Sequence, residues 1–334
     1  MSTPELNPLT PRAREVSGRL AERMATGVLG FPLTPFTADA ESVDLEALRA
    51  HLRRHLVTGV GALFVACGTG EFPALSDEEY RQVVRTAVEE VAGAVPVLAG
   101  AGYGWAQARR FAAIAEEAGV DGLLVMPPYL ARGTQAGLVD QVRRIAAVSP
   151  LPLIVYQRDL AAYTTQSLVE IATLDTVIGL KDGHSNFVEL QRMHLAMLSK
   201  GDNPLEPPSR TDTPPFLFFN GSLTAEMQYR PYASVGIPAY SSAVQSFVPE
   251  VSRAFFRAAQ ADDRARMDQL LTEFYSPLVA LRDRVPGYAV ALVKAGARLR
   301  GEQVGPVRSP LVDPGEDDLA ALQGIIDHGL SLVS

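Results

Sequence analysis

The sequence predicts an α/β protein: a (β/α)8 TIM barrel over residues 27–246, with an N-terminal arm or helix (1–26) before it and a C-terminal helical region (247–334) after it. Three observations carry the prediction. Eight apolar runs of five to seven residues, many β-branched, recur along the chain, as strands buried on both faces of a parallel sheet do. Longer stretches with the apolar period of a helix separate them. The alternation fits eight times into about 220 residues, which suits a closed barrel better than a doubly wound sheet.

The runs are 28–33, 62–66, 95–99, 122–126, 153–157, 177–181, 216–220 and 235–241. Most end at Gly, Pro or a polar residue. Between them, 44–57, 77–91 and 105–118 read as helices. In the first, Leu45, Leu48, Leu52 and Leu56 share a face with arginines opposite. Ser76 followed by Glu79 is a capping-box pattern. The regularity breaks at 199–215, where Pro204, Pro207, Pro208, Pro214 and Pro215 mark a surface excursion long enough to reach the active-site face. Beyond Phe247 no strand pattern remains: 249–259, 262–282 and 287–300 read as helices, with a last one after Pro314.

Composition narrows the function classes. Apolar residues make up 47% and charged ones 20%, a globular rather than a disordered balance. The net charge of −8 opposes nucleic-acid binding, which needs a basic face. A single cysteine, Cys67, excludes intrachain disulfides and thiolate zinc clusters and is compatible with a reducing compartment. No apolar run is long enough to span a membrane, and the first 23 residues lack the apolar core of a signal peptide. A cytoplasmic protein is expected.

Barrel chemistry gathers at the carboxyl ends of the strands. Those ends hold Thr34, Thr69, Glu71, Tyr156, Arg158, Lys181, Asn220, Ser241 and Ser242. Only three of the 30 basic residues are lysines, so each position is informative. Lys181 closes an apolar strand. Desolvation there lowers an amine's pKa and frees it to attack a ketone; the alternative is a structural pair with Asp182. Lys200 and Lys294 fall in a polar loop and a helix, where solvated or rim roles are expected. Tyr156, one strand earlier, is a phenol at the right level to shuttle protons, or a rim tyrosine that only packs. The glycines around Thr69 allow close backbone approach to a carboxylate, although such turns are common after strands. Gly100-Ala-Gly-Tyr-Gly lacks full dinucleotide spacing and reads as a tight turn. His51 and His55 share a helix face without a metalloprotease pattern, so a solvated face and no metal site are expected. Neither a nucleophile elbow nor a P-loop occurs.

Taken in order, Phe31-Pro-Leu-Thr-Pro-Phe, Gly68-Thr-Gly-Glu, the strand-end Tyr156 and Gly179-Leu-Lys-Asp resemble the dihydrodipicolinate synthase/N-acetylneuraminate lyase family of Schiff-base enzymes, with matching spacing over about residues 27–300. The resemblance implies Lys181 as the imine-forming lysine, Tyr156 as the proton shuttle and Thr69 as a relaying hydroxyl that also contacts the keto-acid carboxylate. It implies no cofactor, a small-molecule substrate and a homo-oligomer, dimer or tetramer. The synthase branch has adjacent tyrosines after the fourth strand, where this chain has Tyr129-Leu130. That branch also has an arginine where this chain has Ala161, so the synthase activity is disfavoured. Cys67-Gly-Thr-Gly-Glu-Phe, Tyr156-Gln-Arg-Asp, the long excursion and Gly305-Pro-Val-Arg-Ser-Pro-Leu are similar instead to the branch of decarboxylating dehydratases acting on 5-dehydro-4-deoxyglucarate. That similarity implies conversion to 2,5-dioxopentanoate, CO2 and water. For binding the diacid, the amides of Gly68 and Gly70, Arg158, Asn220 and Ser241 are candidates. A pyruvate-releasing aldolase and a non-catalytic keto-acid-binding barrel are the alternatives.

Overall fold

The structure, a computed structural model, describes residues 9–198 and 215–334. The strands are β1 (Leu29–Gly30), β2 (Ala62–Val65), β3 (Val97–Ala101), β4 (Gly122–Val125), β5 (Leu153–Gln157), β6 (Val177–Asp182), β7 (Leu217–Asn220) and β8 (Ser241–Ser242). They pair in parallel in the order β7-β6-β5-β4-β3-β2-β1-β8. A parallel bridge between Asn220 and Tyr240 joins the two ends, so the sheet curls into a barrel. Each run carries apolar side chains on both faces because both faces are covered. Ala62, Phe64, Leu98, Leu124 and Ile154 fill the interior. Their neighbours Leu63, Val65, Ala99, Leu123 and Val155 pack outward against the helices.

The helices of the barrel layer are α2 (Leu45–Val57), α3 (Asp77–Val91), α4 (Trp105–Ala118), α5 (Gln135–Ala146), α6 (Thr165–Ala172), α7 (Phe187–Leu198) and α8 (Tyr229–Ser234). The Ser76/Glu79 capping box forms in full at the start of α3, a cap that contributes about 1 kcal/mol. Ahead of the barrel, α1 (Pro11–Met24) starts at a Thr10 cap with proline in its first turn. Its apolar stripe, Ala13, Val16 and Leu20, joins the barrel's interior cluster and closes the end opposite the site. The excursion predicted at 199–215, with Lys200, lies outside the described residues apart from Pro215.

The C-terminal region comprises α9 (Pro249–Gln260), α10 (Arg264–Leu270), α11 (Ser276–Arg282), α12 (Tyr288–Leu299) and α13 (Glu316–Ser331). The single helix expected over 262–282 is interrupted by a π-turn, Leu271–Tyr275. Pro277 explains the widening: its ring would collide with the carbonyl four residues back, and it offers no amide to that carbonyl. Among the described residues no helix is long and apolar enough to cross a membrane.

The histidines correct an expectation. His51 and His55 are buried, 1% and 2% exposed, not solvated. They lie in the same helical stripe as Leu48 and Leu52, which faces the barrel. His51 Nε2 accepts from the Leu33 amide at 3.1 Å, and its Nδ1 meets Glu302 at 2.6 Å. His55 is held well below the ordinary histidine range, first by burial and then by His51 beside it. The pair ties α2 to the first strand and to the C-terminal region.

Candidate active site

Strict alternation along β6 would point Lys181 the same way as Val177, outward into the helical layer. A bulge prevents this. Leu153 pairs with Val177 but Ile154 pairs with Gly179, so β6 carries one extra residue at Ile178. The parity flips, Leu180 turns outward, and Lys181 points into the barrel beside Tyr156 and Phe219, its register partners on β5 and β7. Gly179 has no side chain because a Cβ there would press on the Leu217 carbonyl at 2.6 Å.

Lys181 is 6% exposed. Its Nζ lies 3.8 Å from the ring centroid of Phe31 and 4.4 Å from that of Tyr156. Gly221 packs directly on the lysine's methylene stem, where any Cβ would collide. Among the described residues no carboxylate pairs with the amine. Asp182 is turned to the opposite face, where it accepts from Gln157 Nε2 at 2.7 Å, the Tyr232 hydroxyl at 2.5 Å and the His184 and Ser185 amides. The structural Lys181–Asp182 pair is therefore absent. Burial brings the amine down to about 7, with Arg158 nearby pushing the same way. The aromatic faces still receive the ammonium form by about 1–2 kcal/mol in a dry site. The lysine is thus able to switch protonation near neutral pH.

Tyr156 is 3% exposed, its hydroxyl donating to the Gly221 carbonyl at 3.2 Å and accepting from Arg158 Nη1 at 3.4 Å. Desolvation raises its pKa, while Arg158 opposes the rise. A phenol that stays protonated at neutral pH is placed to donate first. Thr69 lines the same cavity. Among the described residues its hydroxyl meets no protein partner, and it makes no contact with Tyr156 that would form a hydroxyl relay.

The turn that carries Thr69 is built under constraint. Ala66 and Glu71, at its two ends, both have positive φ, 46° and 52°, a conformation few side chains tolerate. Thr34 Oγ1 clamps it by donating to the Gly70 carbonyl at 2.7 Å. Gly68 lines the cavity; Gly70 does not, because it is buried against Ala66 and the Pro32 carbonyl. Asn220 is also corrected. It is fully buried, its amide donating to the Ala225 carbonyl at 2.9 Å and its oxygen accepting from the Ser222 amide at 2.9 Å. It shapes the β7 loop and does not line the cavity. Of the two β8 serines, Ser241 lines the cavity, whereas Ser242 faces away and donates to Glu226 Oε1 at 2.5 Å. Strand alternation separates them.

Lys294 overturns the solvated expectation. It is fully buried in α12, with Nζ donating to Glu71 Oε1 at 2.7 Å. Burial takes it down to about 8, against the opposing pull of Glu71. Every residue of α12 from Ala291 to Ala297 is buried, so the helix has no solvated side in that stretch.

These elements enclose a cavity of about 210 Å³ whose lining includes Lys181, Tyr156, Thr69, Gly68, Arg158 and Ser241. Several other walls were not among the strand-end candidates: Phe31, Tyr129 and Gly221 from the barrel, and Val290 and Leu311 from the C-terminal region. Phe31, three residues before Thr34, was legible as a strand residue but carries no polar signal. Leu311 belongs to a segment without secondary structure, and only the tertiary fold brings it over the mouth.

Comparisons with known proteins agree with this architecture. The family described as "Dihydrodipicolinate synthetase family" matches residues 24–328. A Streptomyces coelicolor protein named "Probable 5-dehydro-4-deoxyglucarate dehydratase 2" is 56% identical over 330 residues, covering 99% of this chain and 97% of its own. A second protein of that organism, named "Probable 5-dehydro-4-deoxyglucarate dehydratase 1", is 50% identical over 95% of this chain and 98% of its own. Among solved structures, dihydrodipicolinate synthase from Oceanobacillus iheyensis superposes with a TM-score of 0.80 at 22% identity, covering 94% of this chain and 99% of that one. N-acetylneuraminate lyase from Mycoplasma synoviae gives 0.76 at 19% identity, covering 92% and 98%. At that identity the structural likeness speaks for the fold.

Proposed function

The chain belongs to the dihydrodipicolinate synthetase family, and from that membership we propose that it is a lysine-imine hydro-lyase converting 5-dehydro-4-deoxy-D-glucarate to 2,5-dioxopentanoate, CO2 and water. The observation that carries the chemistry is Lys181: a desolvated amine with no counter-ion among the described residues, pointing into a cavity between two ring faces. The names of the relatives support the choice of substrate.

The steps balance on this chain's own groups. Neutral Lys181 adds to the C5 ketone, and loss of water gives an iminium that acidifies C4. Tyr156 or Thr69, having given its proton to the hydroxyl lost in imine formation, takes one from C4; the enamine so formed expels the C3 hydroxyl as water, with that proton returned to it. The resulting C3–C4 double bond conjugates with the iminium. Breaking the C1–C2 bond then sends its electrons through C2–C3 and C4–C5 to nitrogen and releases CO2. Protonation, tautomerisation of the C2 enol and hydrolysis of the imine free the aldehyde product and the lysine. The cavity-facing turn at Gly68 and Thr69 takes the carboxylate next to the ketone, and Arg158, at the same mouth, takes the distal one. Ser241 holds a substrate oxygen.

The amine fixes the pH dependence. Its protonated form is unreactive, so kcat/KM falls about tenfold per pH unit below about 7 and levels off above it. A profile measured from pH 5.5 to 9 that stayed flat through 7 would contradict a lysine titrating there. Substrate identity is tested by incubation with 5-dehydro-4-deoxyglucarate while CO2 and the semialdehyde product are followed together. Equal yields of the two without pyruvate support the dehydratase. Pyruvate release, or no turnover, overturns it.

A further inference from the structure

The ion pair between Glu71 and Lys294 lies outside the cavity lining, yet it is more deeply buried than Lys181 itself. Lys294 is fully buried and Glu71 is 3% exposed. Burying two charges costs more desolvation than their attraction generally returns, and well-packed apolar residues would serve stability as well. Its geometry suggests what it is for. Glu71 is the last residue of the turn that presents Gly68 and Thr69, and its amide closes that turn onto the Gly68 carbonyl at 3.1 Å. Its left-handed φ of 52° aims the carboxylate away from the cavity and into the C-terminal region. Both oxygens are taken there. Oε1 accepts from Lys294 Nζ at 2.7 Å and Oε2 from the Arg308 amide at 2.9 Å. Arg308 continues the chain of contacts, with Nη2 at 2.6 Å from Glu79 Oε1 and Nη1 donating to the Ala74 carbonyl at 2.8 Å. Phe36 lies against both cations, 3.9 Å from Lys294 Nζ and 4.1 Å from the Arg308 guanidinium. The helix and loop so anchored also supply cavity walls, Val290 from α12 and Leu311 three residues past Arg308.

We propose that Glu71 and Lys294 are positioning residues, which lock the 66–71 turn against the C-terminal region so that its cavity face is preset to receive the carboxylate beside the reacting ketone. The proposal rests on the imine reading above and adds a division of labour to it. Lys181 recognises the carbonyl, and the Glu71–Lys294 lock recognises what is attached to it. A turn freed from the lock binds the carboxylate poorly while the amine keeps its reactivity.

Two small carbonyl compounds separate these roles. Pyruvate carries the carboxylate and acetaldehyde does not; each is trapped on Lys181 by borohydride and located by peptide mass mapping. The wild-type chain traps both, with pyruvate half-saturating at lower concentration. Glu71→Gln keeps the shape of the side chain, and the double variant Glu71→Gln/Lys294→Met leaves no charge unpaired in the interior, so at least one of the two is expected to fold. Both are predicted to need at least tenfold more pyruvate for half-maximal trapping while acetaldehyde trapping stays within about twofold. With the full substrate, KM rises more than kcat falls. Equal losses for pyruvate and acetaldehyde in a folded variant, or no loss for either, overturn the lock. A wild-type chain that traps neither compound overturns the imine reading and this proposal with it.

Discussion

Lys181→Met is expected to abolish turnover and, at the same time, to hold or raise thermal stability. The thioether fills the space of the stem between Phe31, Tyr156 and Gly221 but carries no nucleophile. The stability half follows from linkage. The folded chain lowers the amine to about 7 from the ordinary 10.5, so between those values the unfolded chain binds the extra proton. The cost of holding an ammonium in the barrel is therefore present in full below about pH 7 and fades as pH rises toward 10.5. That cost is on the order of a few kcal/mol. The advantage of the methionine variant in melting temperature should be largest at pH 6 and shrink by pH 9.5. Retained activity, or a melting temperature several degrees lower at pH 6, would make Lys181 a structural residue.

Tyr156→Phe is expected to lower kcat by about 10²–10⁴-fold while leaving imine formation possible. The ring that lies 4.4 Å from the amine remains. What is lost is the hydroxyl with its 3.2 Å bond to the Gly221 carbonyl, about 1 kcal/mol of stability. Single-turnover measurements should show Lys181 still trapped by borohydride with a keto acid, with the steps after imine formation slowed. A loss below threefold would assign the proton transfers to Thr69 or to water.

The barrel was legible because its strands are buried on both faces, which leaves uninterrupted apolar runs, and because barrel chemistry sits at strand ends by geometry. That logic located Lys181, Tyr156, Thr69, Arg158 and Ser241, all of which line one cavity. It failed where side-chain direction depends on pairing. The bulge at Ile178 decides that Lys181 faces inward, and nothing in Val-Ile-Gly-Leu-Lys announces an extra residue. It failed again for polar residues on buried helices. His51, His55 and Lys294 look like surface residues until the C-terminal region is placed against the barrel and supplies Glu302 and covers Glu71. Asn220 shows the opposite error, a strand-end amide that serves its own loop. Long-range contacts settle the two histidines and Lys294, and a local pattern carries no record of them; Asn220 is settled by bonds two and five residues along the chain.

The proposed mechanism stands on one amine, that of Lys181, forming the covalent intermediate. It is tested most directly by adding borohydride during turnover of 5-dehydro-4-deoxyglucarate and mapping the modified peptide. With only three lysines in the chain, the assignment is unambiguous. The expected result is loss of activity in step with a single substrate-derived adduct on Lys181. An adduct on Lys200 or Lys294 alone, or full activity with no adduct after reduction at saturating substrate, would contradict it.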